Sequence, residues 1–229
     1  MQRKQISKRL ATVGSFVPQG ARLVDIGSDH AYLPIALVQK GQIKAAIAGE
    51  VVAGPYQSAC QNVAEHSLQD KIEVRLANGL AAFEVLDQMD TLVVAGMGGR
   101  LISEILAADE EKLSTLKRLI LQPNNHEDRL RSWLHEHGWV LIAEEILEEA
   151  GKVYEIMVAE KGSQTLSSQE VCFGPYLLKE KSAIFQQKWQ KEQEKLSQAL
   201  ARIPATHELE RQVLTQKIQE IKEVLDVSK

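Results

Sequence analysis

The chain is poor in the residues that cross-link a fold or hold a metal. Its two cysteines, Cys60 and Cys172, stand far apart, which excludes a disulfide framework and points to a reducing interior. No histidine pair with ligand spacing accompanies them: His135 and His137 are two apart on a predicted helix and face different ways, so no metal site is expected. No apolar run approaches the roughly eighteen residues of a membrane span, and no apolar segment follows the basic N-terminus as a targeting signal would require. A soluble, cytoplasmic protein with no membrane partner is expected. A positive global charge is also missing. The net charge is −4, so any nucleic-acid binding must come from local patches.

What is present suffices for one full core and an appendage, at 229 residues and 44 % hydrophobic. The organising stretch is residues 23–34, LVDIGSDHAYLP. An apolar run broken only by Asp25 leads to a turn at Gly27, and from Tyr32 the apolar spacing changes to that of a helix, with Pro34 in a tolerated first-turn position. Strand, tight loop and helix N-terminus form the usual cradle for a nucleotide-like ligand in an open α/β sheet.

The loop's charge narrows the ligand. A dinucleotide fingerprint needs further glycines so that a pyrophosphate can approach bare backbone, but Gly27 is followed by Ser28, Asp29, His30, Ala31 and Tyr32. Asp25 and Asp29 would repel a phosphate and suit a cation.

Further strand ends carry polar residues. Residues 43–50 read as a buried strand ending in Glu50, an acid placed to accept hydrogen bonds from ribose hydroxyls, followed by Val51. A helix at 53–66 and a strand at 71–76 lead to Asn78-Gly79. Because residues 80–86 have a helical pattern, that pair reads as a strand-end loop, where an Asn amide can meet an adenine edge, rather than a hairpin turn. A strand at 90–95 ends in Gly96-Met97-Gly98-Gly99, where backbone comes close or takes positive φ. A helix at 100–108, a strand at 116–121 ending in Gln122-Pro123-Asn124, a helix at 126–137 and two strands at 139–147 and 152–160 complete the order. Five βα units closed by a hairpin predict an α/β, mostly parallel sheet with its polar loops on one rim.

From residue 163 the composition becomes rich in Lys, Glu, Gln, Leu and Ala. One helical stretch is expected to about residue 201 and another from about 206 to 227, turned by Pro204 into an antiparallel coiled-coil hairpin. The expected domains are 1–161 and 162–229. A helix at 4–17 precedes the sheet, carrying Lys4, Lys8 and Arg9 after Arg3. This cluster reads either as a solvated face or as an arm contacting phosphates.

Taken together, SKRL, DIGSDHAYLP, Glu50, Asn78-Gly79, AGMGG, QPN and the C-terminal hairpin resemble the bacterial tRNA (adenine-22, N1) methyltransferase family across essentially the whole chain. The resemblance implies a Rossmann-like class I methyltransferase fold, S-adenosylmethionine as cofactor and tRNA as partner. It implies a cofactor shell of Asp25, Gly27, Ser28, Asp29, His30, Glu50, Val51, Asn78, Gly79, Gly96 and Met97. Asp29 and Asn124 are the candidates for orienting the adenine. Arg3, Lys4, Lys8 and Arg9, with Lys188, Lys191 and Lys195 on the helical arm, are the candidates for phosphate contact. Asp29 also suits a cap on the following helix, and Asn124 a plain turn. A monomer is expected. A methyltransferase acting on protein or a small molecule, and a non-catalytic cofactor-holding RNA binder, remain open on these residues.

Overall fold

The structure is a computed structural model and describes residues 6–226. Seven strands form one sheet in the order β3-β2-β1-β4-β5-β7-β6. They are β1 (Ala21–Ile26), β2 (Ile43–Glu50), β3 (Ile72–Leu76), β4 (Thr91–Met97), β5 (Arg118–Pro123), β6 (Trp139–Glu149) and β7 (Lys152–Lys161). The first five pair in parallel, and β7 lies antiparallel to both β5 and β6. Because β1 and β4 lie side by side at the centre, with Asp25 opposite Val93, their loops open onto the same rim.

The central strands are apolar because both faces are covered. One core gathers Val24, Ile26, Leu92, Val94, Leu119 and Leu121 under α4 (Gly99–Ala107) and α6 (Glu127–Glu136). The other gathers Leu23, Val93, Ile120 and Ile156 under α1 (Lys8–Ser15), α2 (Tyr32–Gln39) and α3 (Ala53–Glu65). Neighbouring residues on each strand alternate between the two cores, as the pleat requires.

Three elements depart from expectation. Ser7 caps α1, accepting from Leu10 N–H, so the first helix is shorter than 4–17; Arg3 and Lys4 lie outside the described residues. The pattern at 80–86 yields two 3-10 turns, Gly79–Ala82 and Val85–Asp87, rather than a helix. A capping box at Glu84 and Asp87 stops the first from continuing into the second. A short helix, α5 (Glu110–Thr115), follows α4.

The helical stretch from 163 is also broken. It comprises α7 (Ser168–Phe173), α8 (Pro175–Glu180) and α9 (Ala183–Arg202), before α10 (Glu208–Leu225). Gly174 has φ of 87°, and a side chain there would meet the Glu144 carboxylate at 2.6 Å and Arg131 Nη2 at 2.8 Å. Pro175 then starts a new helix at N1. A third apolar cluster joins Ile146 of β6 to Phe173, Leu177, Phe185, Ile221 and Val224, so the C-terminal helices are seated on the edge of the sheet.

Beneath that cluster Arg131 is fully buried, with Nε 2.7 Å from Glu144 Oε1 and Nη2 2.5 Å from Glu155 Oε2. Lys188 of α9 reaches Glu155 at 2.6 Å and Glu127 at 2.8 Å. Burial favours the neutral acid at Glu155, but the two cations hold its carboxyl below the usual range. No helix among the described residues is long and apolar enough to cross a membrane.

Candidate active site

The rim at the carboxyl ends of β1, β2, β4 and β5 collects the predicted side chains. After β1 the backbone takes left-handed dihedrals at Gly27 (φ 67°), Asp29 (48°), His30 (68°) and Ala31 (58°). Only the first is a glycine, so the loop is held against its own preference. Its restraints come from β2 and α3. Gly27 and Ser28 donate to the Gly49 carbonyl at 2.9 and 3.2 Å, His30 N–H donates to Glu50 Oε1 at 3.3 Å, and Asn62 Nδ2 donates to the His30 carbonyl at 2.9 Å.

Asp25 is buried at the strand end and accepts from Ser28 Oγ at 2.6 Å. Burial, followed by the nearby Glu50 and Asp29 charges, raises its pKa to about 7 against the help of Ser28 and Arg9. Burial also raises Glu50, although backbone N–H groups of His30 and Asp29 donate to it. Two acids thus share a poorly solvated crevice that disfavours their own charge and favours a cation.

Asp29 itself is open to solvent, its side chain 78 % exposed and 3.5 Å from His30 Nε2. It does not cap α2: the N-cap position is Ala31, with no side-chain capping bond. The carboxylate is therefore free to face a ligand. Beyond Glu50, Val51 is 60 % exposed, an apolar surface next to the acid.

The opposite wall comes from β4 and β5. A Cβ at Gly27 would overlap the Met97 methyl, so the first loop and the GMGG turn are in direct contact. Gly96 has φ of 82°, and its carbonyl accepts from Asn124 Nδ2 at 2.7 Å. Asn124 N–H donates to the Met97 carbonyl at 2.7 Å, and Gly99 N–H to the Asn125 carbonyl at 2.9 Å. Asn78 and buried Gly79 (φ 54°) sit after β3, and line a cleft of about 330 Å³ with Leu101 and Ile105 of α4.

Among the phosphate candidates the structure separates two kinds. Lys191 and Lys195 are exposed on α9. The Lys188 ammonium is instead held by two glutamates, so its positive charge serves the seat of the helices. Arg9 is turned inward: Nη1 donates to Gln122 Oε1 at 2.6 Å and the guanidinium lies 5.5 Å from the Tyr154 ring centre. Lys8 Nζ bonds the Glu148 carbonyl at 3.3 Å. The sequence pointed to Gln122 only as part of the QPN strand end, and to Tyr154 and Glu149 not at all. The available signal was a polar Gln at the end of an apolar strand.

A family model described as tRNA (adenine(22)-N(1))-methyltransferase, TrmK, matches residues 23–223. The chain is 40 % identical over 237 residues to the tRNA (adenine(22)-N(1))-methyltransferase of Bacillus subtilis (strain 168), with 99 % of each chain covered. Streptococcus pneumoniae Sp1610, solved in complex with S-adenosyl-L-methionine, superposes with a TM-score of 0.91 at 63 % identity, covering 96 % of this chain and 100 % of that one. For B. subtilis TrmK the TM-score is 0.90 at 39 % identity, covering 98 % and 100 %. For M. capricolum TrmK with S-adenosyl-homocysteine it is 0.87 at 27 %, covering 98 % and 99 %. With a family match spanning most of its length and a relative of 40 % identity from end to end, this chain belongs to the TrmK family of tRNA (adenine(22)-N(1))-methyltransferases.

Proposed function

We propose that the chain methylates N1 of adenine 22 in the D-loop region of tRNA, using S-adenosylmethionine. The carrying observation is the buried acid pair Asp25 and Glu50 at the carboxyl ends of the paired strands β1 and β2 in a chain of this family. When bound, S-adenosylmethionine supplies an electrophilic methyl on a sulfonium. The residues fit such a ligand: Asp25 is buried and has no cation bonded to it among the described residues. Ser28 and Asp25 would meet the amino-acid end. Glu50 would bind ribose hydroxyls, with Val51 and the Asn78-Gly79 turn beside the nucleobase.

Neutral adenine N1 carries its own lone pair, so the protein need not remove a proton before attack; its contribution is to hold N1 in line with the methyl. Asp29, exposed at the mouth, would accept from the exocyclic N6 and stabilise the cation that forms on the base. Asn124, at the facing wall, would bind the same ring. Lys191 and Lys195 would contact tRNA phosphates and help offset the cost of presenting an unpaired base.

Unmodified tRNA incubated with labelled S-adenosylmethionine tests the assignment directly. Label should enter tRNA and reverse transcription should stop at position 22. Label entering protein instead, or stops elsewhere, would contradict it.

A further inference from the structure

Arg9 and Gln122 have no role in that reading, yet they lie against its wall. Glu149, the last residue of β6 before the turn to β7, accepts Lys8 N–H through Oε1 at 2.5 Å and Arg9 N–H through Oε2 at 3.3 Å. These are first-turn donors with no partner inside α1. This strand end therefore anchors the helix start that carries Arg9. The Arg9 guanidinium donates to Gln122 Oε1, and since Arg has no acceptor, only the amide oxygen of Gln122 can face it. Gln122, fully buried, consequently directs Nε2 the other way, to the Pro123 carbonyl at 2.8 Å and Asn124 Oδ1 at 3.1 Å. With its oxygen so engaged, Asn124 donates Nδ2 to the Gly96 carbonyl. Each link has one allowed direction.

We propose that Arg9 is a positioning residue that fixes, through Gln122, which way round the Asn124 amide points, and thereby its donor and acceptor order toward the target base. The inference rests on the tRNA adenine reading above. Asn124 keeps one N–H and one oxygen lone pair beyond the relay. That pair complements adenine N7 and N6–H, as in bidentate Asn–adenine contacts, and leaves N1 clear to react. Guanine offers two acceptors on the same edge and fails to match. An amide free to rotate would spend part of its time with the order reversed and the ring misplaced.

The test uses the full chain, unmodified tRNA and saturating labelled S-adenosylmethionine. Arg9→Met should lower kcat by about 10- to 100-fold, the scale of a small misplacement of reacting groups, while tRNA KM and its salt dependence stay as in the wild type. Arg9→Lys, which retains a donor to Gln122, should recover part of the loss. Asn124→Ala should lower kcat similarly, and adding Arg9→Met to it should cost nothing further. Gln122→Glu keeps the Arg9 contact but offers Asn124 only acceptors, so it should also lower kcat, with cofactor affinity by calorimetry unchanged. Fully additive losses in the double variant would overturn the proposal. So would intact kcat with weaker tRNA binding and a shallower salt slope, which would make Arg9 a phosphate contact. If Arg9→Met does not fold, wild-type kcat in Gln122→Glu overturns it instead. A wild-type protein that leaves tRNA unmethylated overturns the function proposed above, a failure seen before any variant is compared.

Discussion

Asp25 is held in a state that its own stability opposes. Its pKa stands at about 7 in the fold against about 3.9 for an unperturbed Asp. A raised carboxyl stabilises the fold while protonated, so the contribution is complete below the unfolded value and is lost as pH climbs through about 7. The ligand-free protein should therefore gain thermal stability on acidification from pH 8 to pH 6, as far as this group decides it, and Asp25→Asn should remove that dependence. At pH 8 the variant should be more stable by about 1–3 kcal/mol, read from denaturant midpoints, and should bind S-adenosylmethionine at least tenfold more weakly. Asp29, exposed at the mouth of the site, plays a different part. Asp29→Ala should cut turnover by about 10²-fold or more with little change in cofactor affinity; unchanged kcat would remove it from the chemistry.

Among the elements, the rim turns work by bringing backbone close to backbone. Gly99 starts α4 where a Cβ would overlap the His126 carbonyl, so Gly99→Ala should destabilise by about 1–3 kcal/mol through overpacking and loosen the GMGG and QPN loops together. Equal melting temperatures of variant and wild type would show that the loops yield. The β1 loop was legible in sequence because Asp25, Gly27, Ser28 and Asp29 are neighbours in the chain, and their chemistry is local. The relay was not, since Arg9 and Gln122 are 113 residues apart and nothing in either's surroundings names the other. The strands were readable from their apolar runs. The breaks at Gly174-Pro175 and at Lys181, which takes a left-handed φ of 46° between α8 and α9, were masked in the sequence by the helix-forming composition around them, although Gly followed by Pro is itself a stop signal. The turns at 79–87 misled because an apolar spacing of three suits a 3-10 turn as well as a helix.

In the whole molecule, the C-terminal helices are joined to the sheet by apolar packing over a buried charge network. Replacing Arg131 by Met leaves Glu144 without a buried counter-charge and Glu155 with Lys188 alone, and should cost about 3–5 kcal/mol. A loss under about 1 kcal/mol would place the seat of the helices in the apolar cluster alone. The same network distinguishes the lysines of α9. Lys191→Gln with Lys195→Gln should weaken tRNA binding and make log K fall less steeply with log salt, by about 0.7–0.9 for each phosphate no longer neutralised. Lys188→Gln should instead lower stability and leave the salt slope unchanged.

At the largest scale the claim is that this sheet presents an acid-lined crevice to a cationic methyl donor. Calorimetric titration of the full chain with S-adenosylmethionine, between pH 6 and 7 in buffers of different ionisation heat, tests it most directly. Binding should release a fraction of a proton as Asp25 ionises against the incoming cation, and affinity should rise with pH. Tight uptake of NAD with none of S-adenosylmethionine, or S-adenosylmethionine binding unaffected by Asp25→Asn, would contradict it.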